Sequence, residues 1–171
     1  MRRWLFSVAL AGAVLVLSFT GAGARDLADA GGIAATAHPL ATEAAVEMLS
    51  KGGNAVDAAV AAGFAIGVVE PDGSGLGGGG GILVYLHDRR ETVYINYYQS
   101  APEDPGAISF VTKEDRNTAK SALVPGTVAG LCKALEDYGT LPLEVVIEPA
   151  IRYARDGFAA VSYTHLTLPT N

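Results

Sequence analysis

Three observations predict an α+β chain. An alanine-rich apolar run, Ala55–Val69, is framed by Gly52-Gly53-Asn54 before it and Glu70-Pro71 after it. Two strand-like runs, residues 82–86 and 91–98, flank the polar tetrad His87-Asp88-Arg89-Arg90. Further helical stretches follow Val124-Pro125-Gly126, Pro142 and Pro149, with Gly139 and Gly157 as stops. Helices and a hairpin in one chain give a mixed class, whose apolar helix faces must find a common core.

Length and composition narrow the function classes. The 171 residues suffice for one domain with a sizeable core, and at 50% apolar the chain is not disorder-like. A net charge of −6, with no basic cluster beyond Arg2-Arg3 and Arg89-Arg90, argues against nucleic-acid binding. One cysteine, Cys132, excludes an intrachain disulfide. It shares helical spacing with Val128, Leu131 and Leu135. It therefore reads as a small buried apolar side chain rather than a reactive thiol.

In chain order, residues 1–24 read as a secretory signal. Arg2 and Arg3 supply the positive start, residues 4–19 the apolar run, and Ala22-Gly23-Ala24 a small-x-small cleavage site, with Ala28-Asp29-Ala30 as a later alternative. An uncleaved anchor is the other reading, and the run is short for a span. After cleavage no stable membrane insertion is expected, and the protein is placed in the periplasm or outside the cell. Residues 31–37 resemble a first buried strand. Pro39 fits the first turn of a helix, whose stripe is Ala41, Ala44, Ala45, Met48 and Leu49, and Thr42, Glu43, Glu47, Ser50 and Lys51 face away. Gly52-Gly53 stops it, since glycine takes the left-handed conformation cheaply.

Asn54 is a good N-cap for the second helix. That helix carries Val56, Val60, Phe64 and Val68 at spacings of four, and Asp57 is its only charge. Apolar nearly all round, it belongs in a core. At about 1.5 Å per residue its length is about 22 Å, short of a bilayer core of about 30 Å.

The glycine cluster that follows formally matches a dinucleotide fingerprint at Gly73, Gly75 and Gly78. That motif has to open a helix, and here it opens the strand-like residues 82–86. Close backbone approach, or backbone N–H groups left free to face a ligand, are the readings that fit. The hairpin places Val93, Ile95 and Tyr97 on one face, and Thr92, Tyr94, Asn96 and Tyr98 on the other. Residues 101–106 are a loop, and 108–120 a polar surface segment with one short helix. A helix is expected over Thr127–Tyr138, a short one from Pro142, and another from Pro149 with Ile151 and Ala154 inward.

No complete catalytic set is visible. His38 stands at a helix entrance, His87 in a turn and His165 near the end, with no metal-ligand spacing. Ser74 lacks the leading glycine of a nucleophile elbow and is not followed by a helix, so it reads as a structural turn serine. No cofactor is expected.

Four words in order carry a family resemblance: AHPLATEAAVEMLSKGGNAVDAAVAA (37–62), GVVEPDGSGLGGGG (67–80), VPGTVAGL (124–131) and YGTLPLEVVIEPAIRYARDGF (138–158). Over residues 33–158 the chain resembles the N-terminal part of the γ-glutamyltranspeptidase (glutathione hydrolase) large subunit. The resemblance implies a four-layer αββα N-terminal-nucleophile hydrolase fold, present here as an incomplete fragment. It implies a precursor that cuts itself, whose nucleophile is the new N-terminal threonine of a small subunit, a partner encoded beyond this sequence. The implied substrate is a small γ-glutamyl amide such as glutathione, and the fragment alone is expected to be inactive. Family members hold the donor's α-carboxylate with an arginine in a D-x-R-E-x-A-P word. Aligned on Ala101-Pro102, this chain has Tyr98 at the arginine and Gln99 at the glutamate. A guanidinium offers a carboxylate two charge-assisted hydrogen bonds and a phenol one neutral donor. Arg90 cannot easily substitute, since eight extended residues place it roughly 26 Å away. The resemblance thus makes Tyr98 a substrate-binding candidate and leaves a different amide open as substrate; a packed strand tyrosine is the competing reading. The last ten residues, SYTHLTLPTN, depart from the family pattern and resemble a translated sequencing adapter, so residues 162–171 are expected to be foreign. A small exported anion-binding module with a glycine loop is the alternative from a different class, and a nucleotide-dependent enzyme the third.

Overall fold

A computed structural model describes residues 31–104, 106 and 112–159. The expected signal segment and the tail at 162–171 lie outside those residues. The described residues form, in order, α1 (Pro39–Ser50), α2 (Ala55–Val69), a single turn α3 (Pro71–Ser74), β1 (Gly81–Leu86), β2 (Glu91–Asn96), α4 (Thr127–Tyr138) and α5 (Leu143–Asp156). Short 3-10 turns at Glu114–Asn117 and Ala119–Ser121 occupy the polar segment.

The boundary between α1 and α2 is built by local chemistry. Gly52 has φ 84°, and its N–H reaches Leu49 O at 3.0 Å while the Gly53 N–H reaches Met48 O at 2.9 Å. Two of the carbonyls left open at the end of α1 are thereby paired. One residue later the Asn54 side chain accepts from the N–H groups of Val56 and Asp57, and the Asp57 carboxylate accepts from the Asn54 N–H, forming a reciprocal cap.

Helix α2 is the centre of the molecule and packs against α1, α4 and α5. Val56, Ala58, Val60, Ala61, Ala62, Phe64, Ala65 and Val69 are buried along it, as its all-round apolar surface demands. Ala41, Ala44, Ala45 and Met48 meet it from α1, Leu131, Ala134 and Leu135 from α4, Val146 and Ala150 from α5, and Val84 from the hairpin. The hairpin is antiparallel, with Leu83 opposite Tyr94 and Val84 opposite Val93. Ile82, Leu86 and Ile95 pack against the core, whereas Leu83, Tyr85 and Tyr94 project outward. No described helix is long and apolar enough to cross a membrane.

Two expectations are corrected. Residues 31–37 are not a buried strand: their exposure alternates as in a strand, but they pair with no neighbour among the described residues, and Ile33 is 92% exposed. Extended backbone becomes a strand only beside a second one. The helices expected from Pro142 and Pro149 are one helix, α5, with Pro149 inside it. Proline deprives the ladder of one donor, but burial of Pro149 between Val146 and Ala150 outweighs that loss. The inward face is therefore set by Val146, Pro149 and Ala150, while Ile151 and Ala154 are exposed. Strand β2 also ends at Asn96 rather than Tyr98, for a reason that matters to the site.

Candidate functional site

Tyr98 lies where one strand changes partners. Tyr97 still pairs with the glycine loop: its N–H reaches Gly80 O at 3.0 Å, and its carbonyl accepts from the Gly80 N–H at 3.3 Å. Three residues on, Ser100 exchanges both backbone hydrogen bonds with Val124. Tyr98 and Gln99 occupy the crossover. The Tyr98 N–H is taken by Asn96 Oδ1 at 3.1 Å, and its side chain is 70% exposed. Gln99 is half-buried, and its Oε1 has no hydrogen-bond partner among the described residues.

The glycine loop is drawn into this junction. Gly78 O accepts from the N–H groups of Gly126 and Thr127 at 2.9 and 3.2 Å, which fixes the loop to the start of α4. The N–H groups of Gly78 and Gly80 are already bonded, to Gly75 O and Tyr97 O. Those two N–H groups are therefore spent on backbone pairing and are not available to an anion. It opens β1 rather than a helix, so the dinucleotide fingerprint has no structural counterpart. Tyr97 is half-buried against this loop. Burial pushes its phenol above the ordinary pKa, and the neighbouring Tyr94 phenol acts in the same direction.

The other singled-out residues stand apart. Arg90 sits in the hairpin turn with φ 49°, at the opposite end of β2 from Tyr98. His87 is exposed in the same turn, in edge contact with Tyr85. Ser74 ends the single turn α3. Cys132 is half-buried in α4. Among the described residues no group of three or more His, Cys, Asp or Glu side chains is placed to hold a metal.

Two polar residues named from the sequence, Asp57 and His38, are buried, and the sequence gives no sign of that burial. Asp57 is fully buried and accepts four hydrogen bonds: from Asn54 N at 2.7 Å, Thr140 N at 2.9 Å, Thr140 Oγ1 at 2.6 Å and Leu141 N at 3.1 Å. Burial pushes its carboxyl up, but the bonds from Thr140, Leu141 and Asn54 outweigh burial and hold the pKa below the ordinary value. The Asn-x-x-Asp spacing signalled the cap; nothing local signalled Thr140. His38, also buried, is the N-cap of α1: its Nδ1 accepts from the Leu40 N–H at 3.2 Å, and its Nε2 has no partner among the described residues.

Helices packed on one face of a hairpin, with a glycine loop tied to a tyrosine-bearing strand end, define a mixed helix-and-sheet chain. A family model described as gamma-glutamyltranspeptidase matches residues 41–170. The chain is 43% identical over 137 residues to the glutathione hydrolase proenzyme of Bacillus subtilis (strain 168), covering 74% of this chain and 23% of that protein. It is 40% identical over 145 residues to the acylase ACY 1 proenzyme of Pseudomonas sp. (strain SE83), covering 77% and 26% respectively. The crystal structure of Helicobacter pylori gamma-glutamyltranspeptidase superposes with a TM-score of 0.69 at 39% identity, over 80% of this chain and 41% of that one. The chain belongs to the gamma-glutamyltranspeptidase family. It spans about a quarter of the length of these curated relatives.

Proposed function

We propose that this chain is the N-terminal part of the large subunit of an exported γ-glutamyltransferase or glutathione hydrolase-like precursor. The complete enzyme cleaves an amide and passes the acyl group to water or an amino acceptor through a threonine acyl-enzyme. The nucleophile comes from a small subunit of the same precursor, and residues 25–171 alone have no turnover. The observation that carries this reading is the family match across residues 41–170.

The hairpin supports the larger, four-layer fold. Leu83, Tyr85 and Tyr94 on its outer face are 71, 61 and 62% exposed, an apolar surface that a second sheet would cover. Tyr98 is the substrate-facing candidate, at the place where the family resemblance puts a carboxylate-binding arginine. An acylase among the relatives supports an acyl group other than γ-glutamyl as donor.

The test is to recover the contiguous coding sequence, express it at the length of the relatives, and assay release of p-nitroaniline from γ-glutamyl-p-nitroanilide. Self-cleavage leaving an N-terminal threonine, followed by turnover of this or another acyl anilide, is the expected result. Turnover by residues 25–171 alone, or a full-length product that never cleaves and never turns over an amide, refutes the proposal.

A further inference from the structure

Upstream of α1 the chain is built like a strand that lacks a neighbour. Exposure alternates residue by residue from Gly31 to Ala37, the period of an extended chain. The inner side is anchored. Ala34 packs on the core, and a Cβ on Gly32 would stand 3.2 Å from Leu49 Cδ1, so the backbone rests on α1 there. Thr36 ties the far end: its N–H donates to Thr42 Oγ1 at 3.2 Å, and its hydroxyl to His38 O at 2.8 Å. Between these anchors the N–H groups of Ile33, Ala34 and Ala35 meet no acceptor among the described residues. Ile33, a β-branched side chain suited to a strand, stands bare on the outer side.

A groove of about 390 Å³ runs beside this segment, and its floor includes Leu49 of α1 with Ala55, Ala58, Ala59 and Ala62 of α2. Helix α2 is buried along most of its surface, yet Ala55 and Ala59 are exposed in this strip. Methyl side chains there leave room for a second backbone to come close. The sequence GGIAATA (31–37) also carries no charge and no proline, two devices that keep an open strand edge from pairing. An edge so undefended calls for a cover in the complete protein.

We propose that residues 32–36 are a sheet edge, and that its occupant is an extended segment of the same precursor, from the chain beyond residue 171. That segment adds as a strand, with backbone hydrogen bonds to residues 33–35 and its inner side chains on Ala55 and Ala59. The inference rests on the precursor reading above: the chain spans about a quarter of the length of its curated relatives, and the remainder supplies the strand.

The experiment uses the complete recovered protein and has two readouts, neither of which depends on turnover. Residue-resolved hydrogen exchange should show alternate amides among Ile33, Ala34 and Ala35 exchanging about 100-fold or more slowly than an exposed loop amide. Ile33→p-benzoylphenylalanine, a change at an already exposed side chain, should crosslink on irradiation to a peptide beyond residue 171 of the same polypeptide, read by mass spectrometry. Three amides exchanging at the loop rate overturn the pairing. A crosslink confined to residues 1–171, to a second copy or to an unrelated protein, or no crosslink at all, overturns the occupant. The exchange measurement needs no substitution, so the pairing is decided even where the crosslinking variant fails to fold. Protected amides without amide cleavage uphold the edge and fail the enzymatic reading; cleavage with unprotected amides does the opposite.

Discussion

Replacing Asp57 tests the connection between the start of α2 and the loop joining α4 to α5. Its carboxylate is fully buried, with Oδ2 facing the Asn54 N–H and the Thr140 hydroxyl, and Oδ1 facing the N–H groups of Thr140 and Leu141. Asp57→Ala leaves three backbone donors without a partner, each costing about 1–3 kcal/mol when buried. The Thr140 hydroxyl can rotate and water can enter the gap, so the sum is tempered to about 3–5 kcal/mol, the range for breaking a buried charged network. Asp57→Asn keeps the volume but turns one acceptor into a donor that confronts an N–H; about 2–3 kcal/mol is expected. The assay is urea denaturation of the complete protein, comparing midpoints at constant slope. Acid supplies a second check. The folded-state pKa lies below the ordinary value, so the contribution is present above the unfolded carboxylate range, near about 3.9, and is lost as pH falls through the folded value. The gap between parent and Asp57→Asn should therefore close on acidification below about pH 4. A midpoint shift worth less than about 0.5 kcal/mol at neutral pH, as for an ordinary surface change, would refute the reasoning.

Three further outcomes follow from the same structure. Gly52→Ala forces a side chain into φ 84° and should cost about 1 kcal/mol or somewhat more in a denaturation series, whereas an unchanged midpoint would mean the turn has another solution. Arg152 joins Glu47 of α1 to Glu148 of its own helix while 37% exposed, so Arg152→Ala should cost no more than about 1 kcal/mol and less still at high salt. Leu83→Asp should improve the solubility of residues 25–171 expressed alone but block assembly of the complete enzyme; normal assembly would mean that the outer hairpin face stays bare.

Local signals were legible and long-range ones were not. Gly52 and Gly53, the Asn54 cap and the Gly139 stop each act within a few residues, and each lies at the helix boundary its chemistry implies. The merged helix shows the limit of local rules. Proline is most at home in a first turn, so Pro149 read as a start, and only the packing of α5 on α2 shows why the helix continues through it. Asp57 shows a second limit. Its spacing from Asn54 is local, but its second partner, Thr140, lies 83 positions away, and a lone charge in an apolar helix does not announce which donors surround it. Among the described residues, its burial follows from those donors rather than from any opposite charge.

The site was half legible for the same reason. Alternation put Tyr97 and Tyr98 on opposite faces without saying which faces in, and Tyr97 is half-buried where Tyr98 is exposed. What alternation cannot supply is the change of neighbour between Tyr97 and Ser100, from the glycine loop to Val124. That change ends β2 two residues early, because Tyr98 and Gln99 cannot pair with a strand that has already turned away. The glycines at 79, 126 and 130 are scattered in sequence, and each alone reads as a turn or a weak helix position. Only when the chain brings all three onto one tyrosine do they acquire a shared purpose: the removal of three side chains so that a single ring and its carbonyl can be held from both sides. The exposed phenol of Tyr98 is then the product of what surrounds its neighbour, and a search for catalytic residue types would pass over every residue responsible for it.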